Sequence, residues 1–148
     1  MNIIILGYYF HGNFGDDLFE VLFKKIYSGN TINFYDPNKL TILPESTDII
    51  ICGGGDIIND WFMNQIAKLK IRTEQKTNKK IPTYAISIGI TFKKSIPNNK
   101  PHYLDIFDYW IVRNKIDEQI LKSRYGTTNV VYVPDIVHLL TSYKPKKI

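Results

Sequence analysis

The stretch "NIIILGYYFHGNFGDDLFEVLF", residues 2 to 23, decides the fold class because its residue pattern changes twice. It opens with "NIIIL", a short apolar run rich in β-branched residues that is typical of a buried strand. A loop with spaced glycines follows, and then apolar residues recur at three- and four-residue spacing, which predicts a helix over 17–28. The residues predicted to face the sheet are Leu18, Val21, Leu22, Ile26 and Tyr27. A strand, a loop and a helix in this order form the first part of a βαβ unit.

The rest of the chain repeats this alternation of strands and helices. Strands are predicted for the short apolar segments 2–6, 31–35, 48–52, 83–88, 109–113 and 129–133. Helices are predicted over 17–28, 57–76 and 115–125, with a short helical turn near 101–107. Most of the strands lack polar alternation, which is expected when helices cover both faces of a mostly parallel sheet. The segment 36–47 is barely long enough for a crossover and leaves room for an extra short strand.

These patterns predict a single Rossmann-like α/β domain over residues 1–142, followed by a basic tail over 143–148. The chain has 148 residues, of which 44% are hydrophobic and 22% charged, as expected for one globular domain with a real core. No apolar run approaches the roughly 20 residues that span a membrane, and the first residues lack a signal-peptide pattern. We therefore expect a cytoplasmic protein without a transmembrane segment. The single cysteine, Cys52, suits a reducing compartment and is expected to be a buried apolar residue at a strand end.

Much of the formal net charge of +5 lies in two segments, "KLKIRTEQKTNKK" (68 to 80) and the tail "YKPKKI". The first is interpreted as a helix end running into a solvated loop, and the second as a frayed terminus. Because no recognised nucleic-acid-binding module accompanies this charge, we expect no specific nucleic-acid partner. Histidines and carboxylates do not occur at metal-ligand spacing, so no metal site is predicted.

The loop after the first strand carries two adjacent carboxylates, Asp16 and Asp17. A phosphate-binding loop would instead present bare backbone N–H groups at the start of the helix. Asp17 followed by Glu20 fits a capping box, which is a structural alternative to a functional role. Asp16 is predicted to lie just outside the helix, where capping needs no second carboxylate, and this makes it a candidate for chemistry.

The same loop contains Gly7, Gly12 and Gly15, which allow tight turns, and Asn13, which offers both a hydrogen-bond donor and an acceptor. Hydroxyl groups also donate and accept hydrogen bonds. The loop therefore suits a polyol better than a bare phosphate.

A second loop, in "DIIICGGGDIINDW" (48 to 61), is predicted to run from a strand through three glycines into a helix that opens at Asp56. A ligand could approach the backbone closely at Gly53, Gly54 and Gly55, although a tight turn with an aspartate cap explains the same pattern. Several polar or glycine positions fall at the predicted carboxyl ends of strands: Gly7, Gly53, Gly89, Arg113 and Asp135. In open α/β sheets that edge is where ligands bind.

Five motifs in this order resemble the N-terminal half of the polysaccharide pyruvyl transferase family. They are "GYYFHGNFGDD", "DIIICGGGDIIND", "SIGI", "VRNKIDEQILKSRYG" and "VPDIVHLL". The resemblance covers nearly the whole chain and implies a fold similar to one half of a two-domain GT-B glycosyltransferase. It also implies transfer of a pyruvyl unit from phosphoenolpyruvate to two sugar hydroxyls, which gives a cyclic ketal.

The resemblance carries over residue by residue. The first family loop matches Gly7, Gly12, Asn13, Gly15, Asp16 and Asp17, and the second matches Gly53, Gly54, Gly55 and Asp60. Later strand-end positions match Gly89, Arg113 and Asp135. The chain departs from the family at Ile90 and Thr91, where proline is frequent, at Asn114, where an acidic residue is common, and over 117–119, which lacks the usual serine. Family chains run to about twice this length, so turnover is expected only with a second domain or a second copy that completes the cleft.

The family reaction suggests roles for these residues. Phosphoenolpyruvate carries a phosphate and a carboxylate, which call for forked cationic contacts, and Arg113 is the arginine predicted at the ligand edge. Asp16 or Asp60 is the candidate base for the attacking hydroxyls, and the remaining matched residues are expected to bind substrate. His11 and His138 are interpreted as solvated or structural. No cofactor is expected besides the phosphoenolpyruvate donor, and a saccharide is the expected acceptor.

Two other functions remain open at this point. The chain could be half of a GT-B glycosyltransferase that uses a nucleotide sugar, or a non-catalytic remnant that binds a saccharide or a partner protein. Binding of phosphoenolpyruvate or of a nucleotide sugar separates these possibilities.

Overall fold

The computed structural model describes residues 1–11, 14–90 and 99–134, apart from the side chains of residues 14–17 and 56. Its strands are β1 (Asn2–Leu6), β2 (Thr31–Tyr35), β3 (Ile49–Ile58), β4 (Thr83–Ile90), β5 (Tyr109–Val112) and β6 (Val130–Tyr132). Its α-helices are α1 (Phe14–Ile26), α2 (Asp60–Thr77) and α3 (Lys115–Tyr125). Within the described ranges, short 3₁₀ helices span Pro37–Lys39 and His102–Ile106.

The strands form a parallel sheet, whose order within the described ranges is β2-β1-β3-β4-β5-β6. The predicted Rossmann-like α/β class is therefore confirmed. β1 lies between β2 and β3 in the sheet. The connection from β1 leads to β2 on one side, and the connection from β2 leads to β3 on the other side. The position between β1 and β3 is therefore a topological switch point. The segment 36–47, which left room for an extra strand, instead holds the 3₁₀ helix Pro37–Lys39.

Helices cover both faces of the sheet, as the continuous apolar strands predict. The larger core cluster contains side chains of α2 and α3, among them Met63 and Leu121, with Trp110 of β5. The smaller cluster contains Phe19 and Phe23 of α1, packed with strand residues of the opposite face. The prediction of which face of α1 is buried is partly wrong, because Val21 and Ile26, which were predicted to face the sheet, are 58% and 48% exposed.

Phe19 and Phe23 are buried because the glycines of β3 leave room for their rings. A Cβ atom added to Gly53 would lie 2.6 Å from the ring of Phe23, and one added to Gly54 would lie 2.6 Å from Cγ of Phe19. Gly54 and Gly55 also have φ angles of +81° and +92°, which favour glycine. The ladder with β4 shifts register between Gly55 and Ile58. The glycines therefore form a bend inside β3 rather than the predicted turn before a helix at Asp56.

Helix α2 begins three residues later than predicted, at Asp60, behind the N-cap Asn59. The Asn59 side chain accepts a hydrogen bond of 2.9 Å from the backbone N–H of Phe62.

We expect Asn59→Ala to lower the free energy of unfolding by about 1 kcal/mol, because the substitution leaves that N–H without its side-chain partner. Urea denaturation measures the effect. Asn59→Asp keeps an acceptor at the cap and serves as the control, and equal losses in both variants would contradict the capping role.

Cys52 is fully buried, as expected, and burial raises the pKa of its thiol. Its predicted position at a strand end is wrong, because β3 continues to Ile58. No helix in the described part of the chain combines the length and apolar character that a membrane span requires. The predicted tail 143–148 lies outside the described residues, so the domain boundary stays a prediction.

Candidate functional site

Because the described strands are all parallel, their carboxyl ends lie at one edge of the sheet. The predicted site residues Gly7 and Arg113 directly follow β1 and β5 and lie at this edge, and Gly89 lies near the end of β4. The prediction that Gly53 ends a strand is wrong, because β3 continues to Ile58. Gly12, Asn13 and Asp135 fall outside the described residues. We call this region the carboxyl edge.

Gly15, Asp16 and Asp17 belong to the first residues of α1, which begins at Phe14. The prediction that Asp16 lies just outside the helix and that Asp17 caps it is therefore wrong, since the helix begins before both residues. Carboxylates near the start of a helix interact favourably with the helix dipole. The roles of these three residues in a site stay predictions.

The loop after β1 packs against the glycines inside β3. The Tyr9 hydroxyl donates a hydrogen bond of 2.8 Å to the carbonyl oxygen of Gly53, and both residues are buried. A Cβ atom on Gly7 would lie 2.7 Å from the same carbonyl oxygen. Gly7 and Gly53 therefore allow the loop after β1 to pack closely against β3, and their contact with a ligand stays a prediction, as does that of Gly54 and Gly55.

His11 is more constrained than a solvated histidine, because it forms a pair with a buried carboxylate. Its Nε2 atom lies 2.6 Å from Oδ2 of Asp36, whose side chain is 4% exposed. The ring of Tyr8 stacks on His11 with a centroid distance of 3.8 Å. Asp36 directly follows β2 and also accepts a hydrogen bond from the backbone N–H of Asn38. Sequence reasoning missed this pair, and the only available signal was that His11 and Asp36 each follow a strand.

Two non-glycine residues near the carboxyl edge have positive φ angles. Phe10 has a φ of 67° and is 63% exposed, whereas Ser87 has a φ of 58° and is buried in β4. The register between β4 and β5 shifts at Ser87, between Ile86 and Ile88. Such conformations cost about 1–3 kcal/mol each and cluster at functional sites in proteins.

Asp60, a predicted catalytic residue, is the first residue of α2 and is exposed. Its carboxylate interacts with the hydroxyl of Tyr103, which lies in the 3₁₀ helix His102–Ile106. Burial raises the pKa of Tyr103, and the charge of Asp60 and the hydrogen bond with it raise that pKa further. The phenol therefore stays protonated at neutral pH and donates its hydrogen bond to Asp60.

The first nine residues of α2 and the 3₁₀ helix Pro37–Lys39 border an open cleft of about 370 Å³. Its lining residues are Asn38, Asp60, Trp61, Asn64, Gln65 and Lys68. We call it the α2 cleft. It brings Asp60 together with amide side chains and an exposed aromatic ring, a combination that sequence reasoning did not find because Asn38 comes from a different element.

Arg113 follows β5 and is half-buried, and its backbone N–H donates a hydrogen bond of 3.2 Å to the carbonyl oxygen of Ile88. Of the other two arginines, Arg72 donates to the carbonyl oxygen of Thr41, and Arg124 hydrogen-bonds to Tyr125, which is close enough to Asp60 for the two groups to interact electrostatically. Arg113 is thus the arginine at the carboxyl edge, as predicted.

A family profile described as "Polysaccharide pyruvyl transferase" matches residues 5–148. The chain belongs to this family. No curated protein and no solved structure is similar enough to the chain to count as a match. The likeness to a GT-B half that the sequence resemblance implies therefore stays an expectation, whereas the parallel α/β fold of this pyruvyl transferase family member is shown.

One more acidic residue of this family member stands out near the carboxyl edge. Asp117, in the first turn of α3, is fully buried and accepts a hydrogen bond of 3.2 Å from the backbone N–H of Ile90 at the end of β4. The sequence showed only that a serine usual in the family is missing over 117–119, because burial cannot be seen in a local pattern. Asp117 thus ties the start of α3 to the "SIGI" motif.

Taken together, the carboxyl edge of this pyruvyl transferase family member offers an exposed carboxylate, a guanidinium and a paired histidine. A carboxylate is chemically suited to accept a proton, and a guanidinium is suited to bind an anion. Among the described residues, no group of three or more His, Cys, Asp or Glu side chains is arranged to hold a metal ion.

Proposed function

We propose that the chain acts in transfer of a pyruvyl group from phosphoenolpyruvate to a saccharide, with formation of a cyclic ketal. The observation that carries this proposal is the family match over residues 5–148. The position of Asp60 and Arg113 at the carboxyl edge of a parallel sheet, where ligands of such folds bind, supports it.

The proposed reaction forms two C–O bonds and breaks one. Two sugar hydroxyls add to C2 of phosphoenolpyruvate, C3 gains a proton to become a methyl group, and the C2–O bond to phosphate breaks. Of the two hydroxyl protons, one is balanced by protonation of C3 and the other leaves with phosphate. A base for the hydroxyls is required, and we assign this role to Asp60, with Asp16 as the other candidate.

The donor carries two anionic groups, and a single guanidinium fork holds one of them bidentately. We assign Arg113 to one donor anion and propose that a second domain or a second copy of the chain supplies the contact to the other. The proposed compartment is the cytoplasm, which suits a chain with one buried thiol.

Incubation of the purified chain with phosphoenolpyruvate and a panel of glycans tests the proposal, with phosphate release and the mass of the protein in solution followed together. We expect acceptor-dependent phosphate release that rises as the chain self-associates or as a complementary domain is added. Arg113→Ala should abolish release, and Arg72→Ala, which removes an exposed arginine that donates to the carbonyl oxygen of Thr41, should not. Absence of release in every assembly state, or glycosyl transfer from a nucleotide sugar instead, would refute the proposal.

A further inference from the structure

The α2 cleft contains an aromatic surface that the fold leaves open. Trp61 is 64% exposed although it belongs to a helix whose next residue, Phe62, is buried. The ring of Phe62 contacts the Trp61 ring edge-to-face at 5.7 Å between centroids and thereby supports it from the core side. An indole ring held in this way presents a flat apolar face to the cleft at little conformational cost.

The polar walls of the cleft are held in place before any ligand binds. Gln65 donates hydrogen bonds of 3.0 Å to the carbonyl oxygens of Pro37 and Leu40, which fixes the 3₁₀ helix against α2. Asn38 is held by Asp36, which accepts hydrogen bonds from both the backbone and the side-chain nitrogen of Asn38. Pre-organised walls reduce the entropy that a ligand loses on binding.

Asn64 adds an amide side chain to the lining of the cleft. An amide both donates and accepts hydrogen bonds, so a ligand hydroxyl can pair with it at the wall of the cleft.

The charges of the cleft argue against an anionic ligand. Its lining contains one carboxylate, Asp60, and one ammonium group, Lys68, so that their formal charges cancel. Amide side chains both donate and accept, as hydroxyl groups do. The cleft volume of about 370 Å³ lies at the lower end of the range of about 300–1,000 Å³ for small-molecule sites, which suits one sugar ring.

We propose that the α2 cleft is a subsite for a neutral pyranose residue, which stacks its C–H face on Trp61 and hydrogen-bonds to Asn38 and Asn64. The assignment of this sugar as the acceptor rests on the proposed function. In that case the ring lies next to Asp60, which is where a hydroxyl has to be deprotonated.

Titration of the full chain with methyl β-D-galactopyranoside and methyl β-D-glucopyranoside tests the subsite. Trp61 is exposed and the other tryptophan, Trp110, is fully buried, so a saturable change in the emission of an exposed indole reports binding at Trp61. For Trp61→Ala, which lacks the reporting indole, saturation-transfer NMR on the sugar gives the affinity. We expect Trp61→Ala and Asn64→Ala each to weaken binding at least about tenfold.

Ile71→Ala is the matched control, because Ile71 is 46% exposed on the same helix and lies outside the cleft. It should bind the sugars as the unmodified chain does. Sorbitol, which has hydroxyls but no ring, and inorganic phosphate should both bind more weakly than the pyranosides. Absence of saturable binding, unchanged affinity in Trp61→Ala, or tighter binding of phosphate would each overturn the proposal.

The binding assay contains no phosphoenolpyruvate, and this separates the two proposals. Pyranoside binding that depends on Trp61, without any turnover, would support the subsite and contradict the proposed reaction. Turnover by Trp61→Ala with an unchanged KM for the acceptor would support the proposed reaction and contradict the subsite.

Discussion

Asp60→Asn is expected to lower the rate of phosphoenolpyruvate-dependent ketal formation by about 10²- to 10⁴-fold, the usual contribution of a positioned general base. Asparagine is nearly isosteric with aspartate and can still accept the hydrogen bond from Tyr103, so the start of α2 should keep its structure. What the substitution removes is the group that takes the proton from an attacking hydroxyl. Initial rates of phosphate release at saturating acceptor measure the effect on kcat.

Two further variants show whether the loss of rate comes from the Asp60 carboxylate itself. Tyr103→Phe removes the donor to Asp60 but keeps the carboxylate, and its rate should fall far less than that of Asp60→Asn. Asp105→Asn removes a carboxylate that pairs with Lys100 on the surface, and its rate should not change. An undiminished rate in Asp60→Asn would exclude Asp60 as the base, and Asp16→Asn would then be the variant to lose activity.

Gly54→Ala is expected to destabilise the fold by about 2–5 kcal/mol. The new methyl group would lie 2.6 Å from Cγ of Phe19, and overpacking of this kind costs about 1–3 kcal/mol. The φ angle of +81° adds about 1–2 kcal/mol, because a residue with a Cβ atom rarely adopts it. Urea denaturation followed by circular dichroism measures the free energy of unfolding.

Gly29→Ala separates the two contributions. Gly29 has a φ of +90°, and a Cβ atom there would have no heavy atom within 4 Å, so this variant should lose only the backbone term. The difference between the two variants then gives the cost of the clash with Phe19. Equal losses would show that the ring moves aside freely, and that the packing of α1 does not depend on the small size of Gly54.

The candidate site was only partly predictable. The rule that parallel strands share a carboxyl edge predicted the position of Arg113, which the structure confirms. The pair of His11 and Asp36 was not predicted, because the two residues are 25 positions apart and meet only when β1 and β2 align. The α2 cleft was missed for a similar reason, since its walls come from two elements that Gln65 joins.

The sequence by itself determined the class of fold and the number and order of its main elements in the described ranges. All six predicted strands are present, and α3 has the predicted bounds, because apolar runs and helical spacing are local properties of the chain. Only the tertiary structure decided which face of α1 is buried and what the glycines of β3 do. Phe19 and Phe23 turn inward because Gly53 and Gly54 leave space for two rings, and complementarity of shape between distant segments has no signature in the local pattern of either segment.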